Sequence, residues 1–408
     1  MLRRDLLKAA VAATLAPQCA MGQEASSASQ PSRETPQATT PAGGNPPMRY
    51  RFGVNYVNTR DWLYFWNDFD AGQVARDLDA IAAMDMDHLR VFALWPYFQP
   101  WRNWVDPGYL RRLDKFMKLA AQRNLDVCLA MLNGWFSGSC LRPIFDEPQN
   151  FYTSPRMLES QQQYFRETAA VLKGHRNFLG FDLGNEMTCC WSTHEKTAES
   201  DAWMEKLLAY ANQLCPEQFH VNGVGDSPWF YPETFSPQSL VRLQKIVCIH
   251  CYILFTGALK RGGAMDPPCV KLIAGMAALV RAFANDPAKP VWAQEFGISP
   301  EWIDRKLIPR FVEATMHAAI DEGVSWFTWW SSHDVPRKFE LNSLEYELGL
   351  ITLDNKPKEQ ARTYQSIARQ YRGKPVAVKT GKAFSPLPVQ RSYDSTWKWL
   401  LEWMGRRR

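Results

Sequence analysis

Two glutamates, Glu186 and Glu295, each stand at the end of a short apolar run, in the segments GNE and QEF. Two carboxyl groups about 5 Å apart can hydrolyse a glycosidic bond with retention, because one protonates the leaving oxygen while the other attacks the anomeric carbon. Either glutamate alone would be as consistent with an ordinary charge at a strand end. The pair, with Asn185 directly before one member, favours this two-carboxylate chemistry.

Such a pair needs strands that bring both side chains to one place. From residue 50 onward, short β-rich runs alternate with helical segments, which predicts parallel strands joined by helices. Eight runs are predicted strands: 51–57, 88–94, 126–132, 178–185, 218–224, 246–252, 290–296 and 324–330. Amphipathic helices are predicted at 73–84, 109–123, 157–173 and 308–322.

The predicted fold is therefore an α/β fold, a single (β/α)8 TIM barrel over residues 48–373. A doubly wound open sheet is the rival. That architecture commonly has a glycine-rich phosphate turn after its first strand, whereas here the first strand runs into the segment NYVN. In a barrel, catalytic side chains lie at the carboxyl ends of the strands, where both glutamates are expected.

These segments resemble clan A of the glycoside hydrolases, and most of all family 5, the cellulase and mannanase family, over residues 50–370. The resemblance implies that Glu186 is the acid/base and that Asn185 donates to the sugar 2-hydroxyl. It implies that Glu295, within WAQEFG, is the nucleophile and that Arg90, within HLRVF, holds it ionised.

The same resemblance assigns three further residues to substrate binding. His250 and Tyr252, in the segment HCY, match a motif in which the histidine contacts substrate and the tyrosine hydroxyl bonds the nucleophile. Trp329 matches a tryptophan that forms the floor of the sugar site. A positive charge beside a carboxylate lowers its pKa, while burial without that partner raises it, so two glutamates can divide the roles of nucleophile and acid.

The expected activity is endo-acting, retaining hydrolysis of a β-mannan or β-glucan polysaccharide through a covalent glycosyl-enzyme. The same residues would also serve an exo-β-glycosidase or a transglycosylase, and a barrel that binds carbohydrate without turnover is the alternative from another class. Oligosaccharide or polysaccharide is the expected partner, and no metal or organic cofactor is required by this chemistry. The net charge is +5, but the basic residues do not cluster on one element, so nucleic acid is not an expected partner. A monomer is expected.

The two ends of the chain differ in composition from the predicted barrel. Residues 1–22 contain RRDLLK followed by a short apolar run, which resembles a twin-arginine export signal and predicts a periplasmic or secreted protein without a membrane span. Residues 23–47 are predicted to be a flexible linker. Residues 374–408 form a C-terminal extension whose STWKWLLEW segment is predicted to be a helix that packs on the barrel or binds a partner.

Several other residues are candidates for the site. Aromatic side chains after predicted strands two and three could stack on sugars or pack in loops, and two residues shortly after Glu186 could line the leaving-group side: Trp95, Trp101, Trp104, Trp135, Phe136, Trp191 and His194. An ordinary loop pair is favoured for His333-Asp334. The resemblance assigns no role to the vicinal Cys189-Cys190 pair, and Asn133 is the only evident polar residue ending strand three.

Overall fold

A computed structural model describes residues 43–147, 150–190, 196–377, 386–388 and 391–405. Eight parallel strands form its central sheet: β1 Arg51–Asn55, β2 His88–Phe92, β3 Asp126–Asn133, β4 Phe178–Asn185, β5 Val221–Gly223, β6 Val247–Cys251, β7 Val291–Phe296 and β8 Trp326–Trp329. Each lies within or overlaps one of the eight predicted runs. The predicted (β/α)8 barrel is therefore confirmed.

The strand order shows how the barrel closes. Hydrogen-bonded neighbours run β5-β4-β3-β2-β1-β8-β7-β6, so the first and eighth strands pair with one another. The two ends of this series, β5 and β6, lie side by side and complete the wall. Strands β4 and β7 consequently face each other across the mouth, which is the arrangement that the two glutamates require.

The outer layer consists of helices whose apolar faces cover the barrel. The principal helices are α1 Ala71–Ala83, α2 Trp95–Phe98, α3 Pro107–Ala121, α4 Pro155–Leu172, α5 Thr197–Leu214, α6 Ser227–Phe230, α7 Pro237–Leu243, α8 Pro267–Val270, α9 Leu272–Ala284, α10 Ile308–Asp321, α11 Glu359–Tyr371 and α12 Tyr393–Gly405. Side chains of Asp70, Asp106 and Ser154 accept backbone N–H bonds at the starts of α1, α3 and α4. No helix of the described ranges is long and apolar enough to cross a membrane.

The barrel interior below the site is closed by packed aromatic and polar side chains. Trp292 and Trp326 pack with ring centroids 5.2 Å apart. Thr328 joins them to β2, since its hydroxyl accepts from the Trp292 indole at 2.7 Å and lies 2.7 Å from His88 Nε2. This layer fills the barrel interior in the part of the chain that the structure describes, so the carboxyl ends of the strands are the place to look for a site.

Both chain ends that flank the barrel contact it. The backbone N–H of Gly44 donates to Gln218 at 2.7 Å, so contact with the barrel begins before residue 48. Helix α12 packs on the outer layer, where the buried Trp397 packs against Phe230 and donates from its indole to the Thr256 carbonyl at 2.9 Å. Packing on the barrel is thus the structural role of the tryptophan-rich helix that the sequence predicted.

We expect Trp397→Ala to lower the free energy of unfolding by about 3–5 kcal/mol, because it leaves a cavity beneath α12 and removes the bond to Thr256. Thermal and urea unfolding followed by circular dichroism measure this loss. The matched control is Lys398→Ala, the exposed neighbour on the same helix, which should change stability by less than about 0.5 kcal/mol. Equal effects for the two variants would contradict the packing role of α12.

Candidate active site

Glu186 and Glu295 meet at the carboxyl ends of strands β4 and β7. Glu186 follows the last residue of β4 and has a positive φ of 46°, and its backbone N–H donates to Gly223 on β5 at 2.8 Å. Glu295 lies within β7 and is only 4% exposed. One oxygen of each carboxylate and one nitrogen of His250 all lie within 4.8 Å of one another. The two carboxyl groups are therefore close enough to act on a single bond.

Arg90 on β2 binds the carboxylate of Glu295 from below. Its Nη1 donates to Glu295 Oε1 at 2.7 Å, while Nε and Nη2 donate to Asp182 at 2.9 and 2.7 Å. Nη2 also donates to Asn185 Oδ1 at 2.7 Å. Burial alone would lower the pKa of Arg90, but the charges of Asp182 and Glu295 raise it above its ordinary value. Arg90 is thus held as a cation directly against the Glu295 carboxylate.

Two residues from the end of β6 hold the carboxylates from another side. The Tyr252 hydroxyl donates to Glu295 Oε2 at 2.8 Å. His250 lies 2.9 Å from Glu186 Oε1 through Nδ1 and 3.1 Å from Gln294 Oε1 through Nε2. Burial would lower the pKa of His250, whereas the charge of Glu295 and the bond to Glu186 raise it.

These contacts compare directly with the roles that the resemblance implied. The contacts of Arg90 and Tyr252 with Glu295 are present in the structure. His250, however, is 1% exposed and sits beneath the two glutamates, so it contacts the carboxylates instead of lining the open pocket. Glu186, His250 and Glu295 are also the group of the described residues whose spacing could hold a cation, although the charge of Glu295 is already balanced by Arg90.

The pocket above the glutamates has a volume of about 690 Å³. Its wall comes from three segments beyond the strand ends, namely the hairpin 135–140 after β3, the 252–260 segment after β6, and the 330–348 segment after β8. The hairpin turns through Ser137 and Gly138, both with positive φ, which is the geometry of a two-residue turn and favours glycine at its second position. This volume suits a small ligand.

A hydrogen bond closes one side of this pocket. The Ser137 hydroxyl, at the tip of the hairpin, donates to Glu345 Oε2 at 3.0 Å. Glu345 lies in the short helix 343–345 of the segment after β8. Strands β1 and β2 lie between β8 and β3 in the sheet, so this bridge crosses above them.

The position predicted for Trp329 is wrong. Successive side chains of a strand point to opposite faces, and Trp329 falls on the outer face of β8, where it packs against Phe296 and Tyr364. Its indole donates to the Leu348 carbonyl at 2.8 Å, and the side chain is 1% exposed. The next residue, Trp330, lines the pocket in its place.

The weaker candidates separate into pocket and non-pocket residues. Trp135 and Phe136 line the pocket, whereas Trp95 is buried and Trp101 and Trp104 are exposed on a loop. The other candidate residues either contact structural partners or lie outside the described residues. Asn133 accepts from the Trp95 N–H, His333 contacts Val57 and Asn355, and Asp334 pairs with Lys358. Trp191 and His194 lie outside the described residues.

Sequence reasoning missed Asn55 and Gln294 in the layer beneath the carboxylates. Asn55 accepts from Arg90 at 3.2 Å and donates to the Gln294 backbone carbonyl at 3.0 Å. Gly223 was missed as well, although a Cβ there would lie only 2.5 Å from Asp182 and 2.7 Å from Arg90. The signal available in the sequence was position, since Asn55 ends β1 and Gly223 ends β5, where polar or small residues at strand ends indicate a site.

Solved structures with the same fold carry sugar ligands. A GH5_18 protein from Streptomyces cattleya, a Glu-to-Ala variant in complex with Manβ1-4GlcNAc, has a TM-score of 0.80 at 29% identity over 87% of this chain and 91% of that chain. A GH5_18 variant from Bifidobacterium longum subsp. longum, also in complex with Manβ1-4GlcNAc, gives 0.77 at 27% identity over 80% of each chain.

A third solved structure is less similar in sequence, and its likeness to this chain concerns the fold alone. The exo-β-1,4-mannosidase Op5Man5 from Opitutaceae bacterium strain TAV5 gives a TM-score of 0.68 at 22% identity over 79% of this chain and 60% of that chain. A search with the sequence found no matching family model and no matching curated protein.

The closed barrel, the paired carboxyl groups and these neighbours together support an O-glycosyl hydrolase of the clan A type. Within that clan the chain is a family 5-like enzyme, as its structural neighbours show. The family resemblance, the fold and the class of enzyme predicted from the sequence are thereby confirmed.

Tyr252→Phe should lower kcat/KM by about 10- to 100-fold, because it removes one charge-assisted hydrogen bond from Glu295 while leaving the ring in place. Steady-state kinetics on an aryl β-glycoside measure the loss. Tyr50→Phe is the matched control, since that hydroxyl bonds the Ile320 carbonyl far from the glutamates. An unchanged rate in Tyr252→Phe would show that this bond does not serve the reaction.

Proposed function

We propose that this enzyme hydrolyses β-mannosides with retention and acts at chain ends on short substrates of the Manβ1-4GlcNAc type. The observation that carries the proposal is the carboxylate pair, Glu186 and Glu295, at the base of a pocket that is bridged on one side. The two GH5_18 neighbours in complex with Manβ1-4GlcNAc support the choice of sugar.

In the first step Glu295 attacks the anomeric carbon and Glu186 gives a proton to the leaving oxygen. Arg90 and Tyr252 each donate to one oxygen of Glu295, so they orient the carboxylate for attack. The products of this step are the free leaving group and a glycosyl ester on Glu295.

In the second step water replaces the leaving group. Glu186, now a carboxylate, takes a proton from this water, whose oxygen attacks the anomeric carbon and displaces Glu295. Inverting enzymes keep their carboxyl groups about 6.5–9.5 Å apart to hold a water between them. The approach of Glu186 and Glu295 oxygens to within 4.8 Å supports retention instead.

Asn185 is placed to bind the sugar beside the scissile bond. Its side-chain oxygen accepts from Arg90 and its amide nitrogen donates to the Trp135 carbonyl at 2.5 Å, so the side chain is fixed between β2 and the hairpin. Asn185 lines the pocket next to Glu186. A hydrogen bond from this amide to the sugar 2-hydroxyl would strengthen as the ring approaches the transition state.

The bridge between Ser137 and Glu345 favours action at chain ends over the endo action expected from the sequence. An endo-acting enzyme needs a cleft open on both sides of the carboxylates so that a polymer can pass through. Here the hairpin and the segment after β8 meet above β1 and β2. A sugar chain that extended in that direction would collide with them, so the pocket fits one terminal sugar.

The substrate panel that tests this proposal contains Manβ1-4GlcNAc, mannobiose, mannohexaose, β-mannan, β-glucan and aryl β-glycosides. We expect release of mannose from the short substrates and little loss of viscosity in β-mannan. Glu186→Ala and Glu295→Ala should each lower kcat by at least about 10³-fold on natural substrates. Random internal cleavage of β-mannan would restore the endo assignment, and activity only on β-glucosides would overturn the choice of sugar.

Weakening the bridge should shift the preference toward longer substrates. In the double variant Ser137→Ala/Glu345→Ala, the ratio of kcat/KM for mannohexaose to that for mannobiose should rise about two- to tenfold, because loss of the bond frees the wall of the pocket. The matched control is Ser343→Ala, which removes an exposed hydroxyl from the same short helix. An unchanged ratio would show that the bridge does not set the substrate length.

A further inference from the structure

Three cysteines lie together at the rim of the pocket, beside the acid/base. Cys140 is the last residue of the hairpin, while Cys189 and Cys190 belong to the short helix 187–190 that follows Glu186. The thiols of Cys140 and Cys189 are hydrogen-bonded to each other, and the sulfurs of Cys189 and Cys190 are 3.9 Å apart. The contact between Cys140 and Cys189 therefore joins two pocket segments that are distant in sequence.

Accessibility distinguishes two of these thiols from the rest. Cys140 and Cys189 are half-buried, whereas the other cysteines within the described ranges are buried: Cys128, Cys190, Cys215, Cys248, Cys251 and Cys269. A soluble oxidant can therefore reach the rim pair more readily than the buried thiols.

Electrostatics mark Cys140 as the more reactive of the pair. The hydrogen bond from Cys189 lowers the pKa of Cys140 against the opposing effect of burial, and the nearby Arg142 guanidinium lowers it further. The pKa of Cys189 is raised, first by its bond to Cys140. The thiolate is the nucleophilic form, so the lowered pKa of Cys140 favours it as the attacking thiol, with Cys189 as its partner.

We propose that Cys140 and Cys189 form a disulfide that ties the hairpin to the turn carrying the acid/base. The Cys140 thiolate attacks one sulfur of an external disulfide, forming a mixed disulfide and releasing one thiolate. Cys189 then loses its proton and attacks the Cys140 sulfur, which releases the second thiolate. Two protein thiols are oxidised and one external disulfide is reduced to two thiols, so electrons and atoms balance.

The tie acts on residues that shape the pocket. The hairpin carries Trp135 and Phe136 into the lining, and the Trp135 carbonyl accepts from Asn185. Its base, Gly134, lies so close to β4 that a Cβ there would be 2.2 Å from the Asn185 carbonyl oxygen. A covalent link at Cys140 and Cys189 fixes the far end of the same hairpin, so the disulfide preorganises the substrate-binding wall without touching the reacting atoms.

The chemical test uses the full chain and does not depend on the proposed function. The reduced protein is incubated with oxidised glutathione, remaining thiols are alkylated after denaturation, and peptides are mapped by mass spectrometry. We expect a peptide pair linked through Cys140 and Cys189 in wild type and in Cys190→Ser, and none in Cys140→Ser. Complete alkylation of both cysteines, stable glutathione adducts without a link, or a Cys189–Cys190 link would each overturn the proposal.

The kinetic test rests on the proposed function. On the mannoside that the wild type hydrolyses, the reduced enzyme should have a KM about threefold higher than the oxidised enzyme with a similar kcat, because the wall loses its anchor. Cys140→Ser should show the higher KM under both conditions, and Cys215→Ser, a buried control, should behave as wild type. Equal KM in both redox states, with the link mapped, would overturn the coupling to substrate binding, while inactivity on every mannoside would count against the proposed function alone.

Discussion

The buried guanidinium of Arg90 is the interaction on which the rest of the site depends. Removing one partner of a buried ion pair costs several kcal/mol, so Arg90 must find anions and acceptors wherever the fold encloses it. It finds them on three strands, as Asp182 and Asn185 on β4, Glu295 on β7 and Asn55 on β1. Its charge therefore fixes the position of the Glu295 carboxylate and, through Asn185, the backbone beside Glu186.

This arrangement explains why the two glutamates differ although they are the same amino acid. Glu295 contacts a permanent cation and a tyrosine hydroxyl, whereas Glu186 contacts His250 and follows a residue that itself bonds Arg90. Glu186 also has a positive φ, a conformation that costs energy in a non-glycine residue and persists only where the surroundings enforce it. Gly223 helps to hold the backbone of Glu186 in this conformation, because its carbonyl accepts from the Glu186 N–H. Its lack of a side chain also leaves room for Arg90 and Asp182.

The barrel itself could be predicted from sequence because eight buried parallel strands leave a strong periodic signal, and every predicted run contains or overlaps a strand. The carboxylate pair could be predicted because strand ends converge at one face of a barrel. Trp329 was misplaced because a shift of one residue moves a side chain to the other face, and the end of a strand is uncertain by at least that much. The bridge from Ser137 to Glu345 and the contact between Cys140 and Cys189 join loops far apart in sequence, for which no local pattern exists.

Mass spectrometry of the enzyme after reaction with a 2-deoxy-2-fluoro-β-mannosyl fluoride tests the central claim most directly. With this reagent, hydrolysis of the covalent intermediate is slowed more than its formation is. The glycosyl ester therefore accumulates and can be mapped. If Arg90 and Tyr252 prepare Glu295 as the nucleophile, the added mass will lie on the peptide that contains Glu295. A label on Glu186, or turnover that releases α-mannose from a β-mannoside without any covalent species, would contradict the account.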